Sequence, residues 1–348
     1  MLRSRALSAW PASGLADRTG RTRHVDGDNP KVRASLIHKF GPPEVLVTED
    51  VPDPAPGPGE VAIDVELANI TFVETQVRAG KAPRADMLPK LPAILGNGVA
   101  GRVREVGPGG ETTLLGKHVM TSLSGTGGYA SRAIAAVDGL IEVPTELDLR
   151  RALALLADGR TAVLLMHQAA VQPGETVLVE AAAGGVGSLL VQLARNAGAR
   201  VIGAAGGERK RAIVGDLGAD LALDYTRPNW SDPVRGRVDV VFDGVGGHIG
   251  EAAFGLLREG GRFCAFGMSS GEFPRVTATT GISVLRGMRS TPAEIRDAGR
   301  EALRLALQGR LDPLVGQTFA LEEAARAHAA IESRTPVGKT LLVVSEPG

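Results

Sequence analysis

The chain has 348 residues, of which 43% are hydrophobic and 22% are charged, a length and composition typical of a two-domain globular enzyme. Basic and acidic residues number 39 each, and this absence of net charge argues against nucleic-acid binding. Cys264 is the only cysteine, which excludes an intrachain disulfide and every zinc site built from several cysteines. No apolar stretch approaches about 18 residues, so we expect no membrane span and a cytoplasmic location.

Residues 1–31 differ from the rest of the chain, since they contain five arginines and show little apolar periodicity. An arginine-rich transit peptide has this pattern, and so does a weakly ordered leader that results from an over-long start site. We favour a flexible leader that carries no chemistry.

From Val32 to Pro144, glycine and proline separate short apolar segments. In one of these segments, residues 60–67, apolar and acidic residues alternate, the period of a half-buried strand. This stretch predicts a compact, barrel-like β domain.

Beyond Leu147 the pattern changes to apolar strands that alternate with amphipathic helices. A helix is predicted over 150–170, followed by strands at 176–179, 200–204, 221–223, 238–242 and 262–266. Such an alternation predicts a parallel sheet that helices cover on both faces. Gly198, Gly218 and Gly260 stand where we expect helices to end.

The last part of the chain begins with a capping box at residues 291–294, which predicts a helix to about Gln308. A second helix is predicted over 321–333 and a final strand over 339–344. We assign this tail to the β domain. The predicted domains are therefore 32–150 with 291–348, and 151–290.

The central motif is the glycine-rich run at residues 181–187, AAAGGVG, which directly follows a strand and directly begins a helix. Gly184 would let the backbone approach a pyrophosphate at the helix N-terminus, and Gly187 would let the helix pack closely on the strand. An ordinary tight turn is the alternative, but the strand and helix on either side favour a dinucleotide site.

The end of the next strand indicates which dinucleotide binds. NAD enzymes usually place an acidic residue there, whereas this chain has two glycines, then Glu208 and the basic run Arg209, Lys210 and Arg211. Basic residues attract a 2′-phosphate, so we predict NADPH. The alternative is that these side chains form the solvated face of a helix.

Several motifs together resemble the zinc-free quinone oxidoreductase branch of the medium-chain dehydrogenase/reductase superfamily, from about Val32 to Val344. They are AAAGGVG at 181–187, LGAD at 217–220, DGVGG at 243–247, FGMSSG at 266–271 and FVETQVRAG at 72–80. The resemblance implies a Rossmann doubly wound parallel sheet (fold class α/β) plus a discontinuous GroES-like β-barrel domain.

The resemblance also implies the cofactor-binding residues. Those implied here are Thr161, Ala183, Gly184, Gly185, Val186, Gly187, Gly207, Lys210, Tyr225, Gly244, Val245, Phe266, Gly267, Met268 and Arg334. Lys210, Tyr225 and Arg334 fall at the family's 2′-phosphate contacts, which strengthens the prediction of NADPH. Thr161 and the turns at 244–246 and 266–268 fall on the nicotinamide side.

The chain departs from zinc-dependent relatives, which carry a Gly-His-Glu triplet where this chain has Gly96, Asn97 and Gly98. A zinc ion needs three protein ligands. The histidines at 118, 167, 248 and 328 are isolated in sequence, and we interpret them as surface or structural residues. We predict no metal.

The substrate-side segment departs from the family as well, because Thr71, Glu74 and Gln76 replace its usual Asn, Asp and Tyr. Thr71 and Gln76 are our candidate catalytic residues, since both can donate hydrogen bonds to a substrate oxygen. Glu74 is predicted to pair with Arg78 on one helical face. Cys264 lies in an apolar strand and is predicted to be a buried, inert thiol.

These residues predict NADPH-dependent hydride transfer to a quinone, or to the activated C=C of an α,β-unsaturated carbonyl, without a metal. A discrete enoyl reductase of polyketide or fatty-acid type is one alternative. An NADPH-binding protein without turnover, as in lens crystallins, is another. The resemblance further implies a homodimer, whose edge strands would come from 262–266 and 282–287.

Overall fold

The computed structural model describes residues 31–287 and 290–345. The leader predicted for residues 1–31 lies outside this part of the chain except for Lys31, which begins the first strand. Among the described residues, no helix has both the length and the apolar character needed to cross a membrane.

Strands and helices follow one another in the predicted alternation beyond residue 148. The strands are β1 Lys31–Ile37, β2 Leu46–Pro52, β3 Glu60–Ile70, β4 Ala93–Ile94, β5 Gly98–Val106, β6 His118–Ser122, β7 Arg132–Ala136, β8 Ile141–Glu142, β9 Thr176–Glu180, β10 Arg200–Ala205, β11 Leu221–Asp224, β12 Val238–Asp243, β13 Leu257–Ala265, β14 Ser283–Arg286, β15 Val315–Ala320 and β16 Lys339–Val343. The helices are α1 Phe72–Arg78, α2 Leu149–Ala169, α3 Gly185–Asn196, α4 Glu208–Asp216, α5 Gly247–Phe254, α6 Pro292–Leu307 and α7 Ala324–Glu332.

Six strands form a parallel sheet in the order β11-β10-β9-β12-β13-β14. Both of its faces are buried, because successive residues of one strand enter different hydrophobic clusters. On β9, Val177 and Val179 pack in one cluster with residues of α2 and α3, and Leu178 packs in another with residues of β12 and β13. The predicted doubly wound α/β fold is confirmed, and its strands are continuous apolar runs for this reason.

The remaining strands form a seven-stranded sheet that contains β15, β16, β3, β5, β6 and β8, with β7 paired to β3, and a three-stranded sheet of β2, β1 and β4. The predicted alternating strand is β3, but the expectation that it is half-buried is wrong. Ala62 and Glu66 are buried together with Val61 and Ile63. One face of β3 packs in the interior of the β region, and Leu67 on the other face packs in the cluster that contains α2.

The tail of the chain contacts helix α2 and the seven-stranded sheet. The predicted capping box at the start of α6 is present, with Glu294 accepting from the backbone N–H and hydroxyl of Thr291. Ala298 and Ala302 of α6 pack in one cluster with residues of α2, whereas β16 pairs with β3 in the seven-stranded sheet. The domain boundaries given above remain predictions.

Two of the three glycines predicted to end helices do so. Gly198 and Gly218 follow α3 and α4 with positive φ angles of 81° and 96°. Gly260 does not, since it lies inside β13, where the pairing with β12 shifts between Val238 and Val240. Its positive φ of 82° belongs to this irregularity of the sheet.

Candidate cofactor and substrate site

The glycine-rich run lies between the end of β9 and the start of α3. Ala181 adopts a left-handed conformation, with φ of 48°, and its carbonyl accepts the Gly184 N–H at 2.7 Å. A Cβ on Gly187 would stand 2.3 Å from the same carbonyl oxygen, so only glycine lets α3 begin this close to the strand. Because first-turn N–H groups of a helix have no intrahelical acceptor, the loop presents donors to an anion.

The groups predicted to bind the 2′-phosphate come from α4, from the end of β11 and from the segment after α7. Lys210 Nζ donates to the backbone carbonyl of Arg334 at 2.6 Å. Burial lowers the pKa of Lys210, and the charges of Arg209 and Arg334 lower it further. Lys210 therefore lies close to two other cations, and an anion bound there would be stabilised by their charges.

Tyr225 lies at the same place, since a Cβ on Gly206 would stand 3.3 Å from its ring. Burial raises the pKa of Tyr225, the nearby Glu180 carboxyl raises it further, and Arg334 lowers it. The structure therefore brings Lys210, Tyr225 and Arg334 together, although they are far apart in sequence.

The carboxylate that accepts from Gly207 is engaged locally. Asp224 Oδ1 accepts the Gly207 N–H at 3.1 Å and the Thr226 hydroxyl at 2.6 Å. The Thr226 hydrogen bond, followed by that of Gly207, lowers the pKa of Asp224 to about 2. Asp224 therefore anchors the turn after β10.

A backbone contact links the Arg334 segment to the glycine-rich run. Gly338 N donates to the Ala183 carbonyl at 2.7 Å, and Gly184 and Gly338 form an isolated parallel bridge. Arg334 itself adopts a left-handed conformation, with φ of 57°, directly after α7. The two predicted parts of the cofactor site are thus held by one hydrogen-bonded segment.

The two turns predicted on the nicotinamide side contact each other directly. Phe266 N donates to the Asp243 carbonyl at 2.9 Å, while Asp243 Oδ1 accepts the Val245 N–H at 2.9 Å. A Cβ on Gly244 would stand 2.7 Å from the Phe266 ring, and one on Gly267 would stand 2.7 Å from the Gly244 carbonyl oxygen. These contacts fix the positions of both turns and require glycine at both places.

Glu74 in the substrate-side segment is buried and caps helix α1. Its Oε2 accepts the backbone N–H and the hydroxyl of Thr71, the latter at 2.8 Å, and its Oε1 accepts the Asn97 N–H at 2.8 Å. Burial raises the pKa of Glu74, and the hydrogen bonds from Thr71 oppose that rise.

The predicted pair between Glu74 and Arg78 is wrong, because Arg78 pairs with Glu332 of α7. Glu74 is the third residue of α1, where a capping box turns the carboxylate back toward the helix N-terminus. That geometry satisfies first-turn N–H groups, and it points the side chain away from the next turn of the helix.

The two candidate catalytic residues occupy opposite ends of α1. Thr71 is the N-cap and donates its hydroxyl proton to Glu74. The half-buried Gln76 donates one amide hydrogen bond to the Thr75 hydroxyl at 3.1 Å. One amide has two N–H groups, so Gln76 keeps a second donor, and both residues stay predictions as substrate contacts.

Helix α2 brings charged residues to this site that the sequence reasoning missed. Asp158 and Lys339 form a buried ion pair at 3.0 Å, and a Cβ on Gly185 would stand 2.0 Å from Asp158 Oδ2. Arg160 donates to the Ser122 hydroxyl at 3.1 Å, next to the predicted nicotinamide contact Thr161. The available signal was the charged pair Asp158 and Arg160 inside an otherwise Ala/Leu-rich helix.

No group of three or more His, Cys, Asp or Glu side chains that could hold a metal occurs in residues 31–287 and 290–345. Asn97, which replaces the histidine of zinc-dependent relatives, accepts the Gly125 N–H at 2.8 Å through Oδ1. His328 is buried beside the Tyr129 hydroxyl at 3.0 Å, and burial lowers its pKa to about 3. It is a neutral structural histidine, as predicted.

Cys264 is buried in β13, and burial raises its pKa to about 12. A thiol with such a pKa is protonated at neutral pH and does not act as a nucleophile. The predicted burial of Cys264 is confirmed, and its raised pKa supports the prediction that the thiol is inert.

Comparison with known proteins connects this geometry to a family. The alcohol dehydrogenase GroES-like domain family matches residues 57–145, and a family described as zinc-binding dehydrogenase matches residues 217–342. A 2-haloacrylate reductase from Burkholderia sp is 33% identical over 90% of this chain and 99% of its own length. The quinone oxidoreductase of Salmonella typhimurium is 32% identical over 88% of this chain and 98% of its own length.

Solved structures agree with the sequence matches. The Escherichia coli quinone oxidoreductase complexed with NADPH superposes with a TM-score of 0.82 at 29% identity, covering 89% of this chain and 99% of that one. The two family matches leave out the glycine-rich run, but the relatives and the solved structure each cover about nine-tenths of this chain. This chain belongs to the quinone oxidoreductase branch of the medium-chain dehydrogenase/reductase superfamily and is an oxidoreductase with a nicotinamide cofactor.

Proposed function

We propose that this protein is an NADPH-dependent reductase that transfers hydride, without zinc, to a quinone or to the activated C=C of an α,β-unsaturated carbonyl. The observation that carries the proposal is the convergence of Lys210, Tyr225 and Arg334 at the end of β10. There they lie beside a segment that is hydrogen-bonded to the glycine-rich run.

Selection of NADPH follows from the charges at this place. NADPH and NADH differ by one 2′-phosphate, whose charge and oxygens match two cations and a phenol hydroxyl. Burial lowers the pKa of Lys210, and the repulsion of its charge by Arg209 and Arg334 lowers it further. A bound phosphate relieves that repulsion, which favours NADPH over a cofactor with no charge at this position.

The rest of the site fits the other parts of the cofactor. The first turn of α3 would bind the pyrophosphate, and the glycines at 184 and 187 leave room for the approach of the backbone. Thr161 and the turns at 244–245 and 266–268 would bind and orient the nicotinamide. NADPH supplies the hydride when bound.

A conjugated acceptor suits the groups that line the substrate side. Conjugation spreads the negative charge that develops on hydride transfer, so the acceptor needs hydrogen-bond donors rather than a Lewis acid. The second amide N–H of Gln76 is such a donor. Glu74 accepts three hydrogen bonds and so holds Thr71 and Asn97 in place. Water supplies the proton that completes the reduction of the acceptor.

The donor set supports zinc independence. The position of the family's zinc-ligating histidine is taken by Asn97, whose amide oxygen is already used by Gly125, and the nearby Glu74 carboxylate is already used by Thr71 and Asn97. Zinc requires ligands with a free lone pair directed at the metal. These side chains direct theirs at backbone N–H groups and at the Thr71 hydroxyl.

The names of the relatives fit the same chemistry, because quinones and 2-haloacrylates are both conjugated acceptors. Purified protein mixed with NADPH and a panel of quinones, enones and acrylates tests the proposal. We expect NADPH to be consumed with at least one acceptor, at a rate that a zinc chelator leaves unchanged. NADPH binding without consumption would favour a binding protein. Loss of activity with the chelator and its return with zinc would refute zinc independence.

A further inference from the structure

Arg160 is a partly buried arginine that has no carboxylate partner among the described residues, unlike several other arginines with low exposure. Arg78 pairs with Glu332, Arg132 with Asp53 and Arg262 with Glu175. In residues 31–287 and 290–345, Arg160 forms a single hydrogen bond, to the Ser122 hydroxyl at 3.1 Å. A guanidinium carries five N–H donors, so most of its donors are free for a ligand.

The position of Arg160 is between the cofactor side and the substrate side. It precedes Thr161 on α2, and Asp158, two residues earlier on the same helix, approaches Gly185 at the start of α3. On the other side, Ser122 pairs with Gly98 across β5 and β6. Gly98 follows Asn97, which donates to Glu74 in the substrate-side segment.

The nearest acid does not neutralise this guanidinium. Asp158 raises the pKa of Arg160 by its charge, while burial, the larger effect, lowers it. The Asp158 carboxylate is committed to Lys339 at 3.0 Å. Partial burial of a charge without a partner costs stability, and a bound anion would compensate that cost.

We propose that Arg160 binds the carboxylate of the substrate, so that the enzyme reduces α,β-unsaturated carboxylic acids. This inference rests on the proposed function and names the substrate class of the same site. The guanidinium fork matches a carboxylate in a bidentate pair.

The charge of Arg160 also has a chemical role in such a reduction. The β-carbon gains a hydride from NADPH and the α-carbon gains a proton from water, so the double bond becomes single and NADP⁺ is released. Negative charge develops next to a carboxylate that is already anionic. A cation paired with that carboxylate opposes the build-up of charge and lowers the barrier.

The test compares an acid with its neutral ester in wild type and in Arg160→Gln. The substrates are 2-chloroacrylate and methyl 2-chloroacrylate, with kcat/KM measured for each at saturating NADPH. We expect Arg160→Gln to lower kcat/KM for the acid by about 10- to 100-fold, as loss of a charged hydrogen-bonded pair does, and to leave the ester unchanged. Arg160→Lys keeps the charge but loses the guanidinium fork, so its kcat/KM for the acid should lie between those of wild type and Arg160→Gln.

The matched control is Arg151→Gln on the same helix, where Arg151 is exposed and pairs with Asp312 at 2.8 Å. Arg151→Gln should not change the ratio of kcat/KM for the acid to kcat/KM for the ester. A second readout is the binding of 2-chloropropionate to the NADP⁺-loaded protein by calorimetry, which requires no turnover. Arg160→Gln should weaken that binding by a similar factor and leave the affinity for NADPH unchanged.

Three results would overturn the inference. If Arg160→Gln lowers kcat/KM equally for acid and ester, Arg160 has a structural role. If the variant binds NADPH more weakly, Arg160 contacts the cofactor. Unchanged 2-chloropropionate binding in Arg160→Gln would also refute it, even if quinones are reduced. If none of the tested acceptors leads the wild-type protein to consume NADPH, the proposed function fails. The 2-chloropropionate binding experiment still decides the role of Arg160 in that case.

Discussion

The glycine-rich run at 181–187 and the substrate-side segment at 71–76, which we propose as the two sides of one site, are built differently. The first is defined by its backbone. One residue is left-handed, the chain makes a tight turn, and Gly187 has no room for a Cβ. The second is defined by side chains, with Glu74 hydrogen-bonded to Thr71 and Asn97.

This difference explains why the cofactor side follows the family pattern and the substrate side departs from it. Backbone geometry admits few residue types, so the residues that form a phosphate-binding turn are constrained. Side-chain networks admit many solutions, and each solution recognises a different substrate. The first two predictions below test the cofactor side, the third tests the core beneath it, and the fourth tests the sheet to which it belongs.

The largest effect is expected from Gly187→Val. Its Cβ would stand 2.3 Å from the Ala181 carbonyl oxygen, and relief of such a clash costs about 1–3 kcal/mol or more. We expect a lower midpoint of thermal unfolding and loss of NADPH binding. Gly215→Ala in α4 is the control, since nothing lies within 4 Å of its Cβ, and it should retain both stability and binding. Normal NADPH affinity in Gly187→Val would contradict the backbone account.

The next effect concerns Lys210→Ala and Arg334→Ala. Loss of one hydrogen bond to a charged group costs about 1.5–3 kcal/mol, which corresponds to about 10- to 150-fold in affinity. Each variant should raise KM for NADPH by at least about tenfold and leave KM for NADH nearly unchanged. Arg211→Ala is the matched control, because Arg211 binds the Ala222 carbonyl at 3.2 Å. An equal rise for both cofactors would show that these residues do not recognise the 2′-phosphate.

A smaller effect is expected from Glu180→Gln in the core beneath the glycine-rich run. Burial raises the pKa of Glu180 well above 4.5, and the adjacent Asp243 raises it further. The folded protein therefore retains a proton that the unfolded chain releases, so this residue makes stability fall as pH rises above about 4.5.

Glu180→Gln removes that dependence and provides an amide donor beside Asp243 Oδ2, which has no partner among the described residues. We expect the free energy of unfolding near pH 8 to rise by about 1 kcal/mol and to depend less on pH. Denaturant titrations at several pH values measure it. If the free energy of unfolding falls more steeply with rising pH in the variant than in wild type, Glu180 is not the source of the pH dependence.

The smallest effect is a factor of two in mass. The prediction that 262–266 supplies an edge strand is wrong, because β13 pairs with both β12 and β14. Strand β14 is the last strand of the parallel sheet, and an unpaired edge favours association with a second copy. We expect a homodimer by light scattering at micromolar concentration. A monomer mass under those conditions would refute the predicted edge-to-edge pairing.

Much of the fold follows from periodicity and from glycine chemistry. The continuous apolar strands predicted the parallel sheet because both of its faces are buried, as Val177 and Leu178 illustrate. Gly260 was misplaced because a positive φ serves a helix end and a sheet irregularity equally well. Sequence alone does not distinguish the two.

The side-chain part of the site was less predictable because its contacts are long-range. Lys210 and Arg334 are 124 residues apart, and only the family resemblance connected them. The spacing of Glu74 and Arg78 suggested a helical ion pair, but a partner on α7 and a capping box outweighed it. Arg160 was missed because its significance lies in the lack of a carboxylate partner, which only three-dimensional packing reveals.

The central claim is that the convergence of Lys210, Tyr225 and Arg334 selects NADPH. Its most direct test is the ratio of kcat/KM for NADPH to that for NADH, measured on the wild-type protein with one accepted quinone. We expect a ratio of at least about 10 in favour of NADPH, the contribution of one charged hydrogen bond. A ratio near or below one would contradict the account.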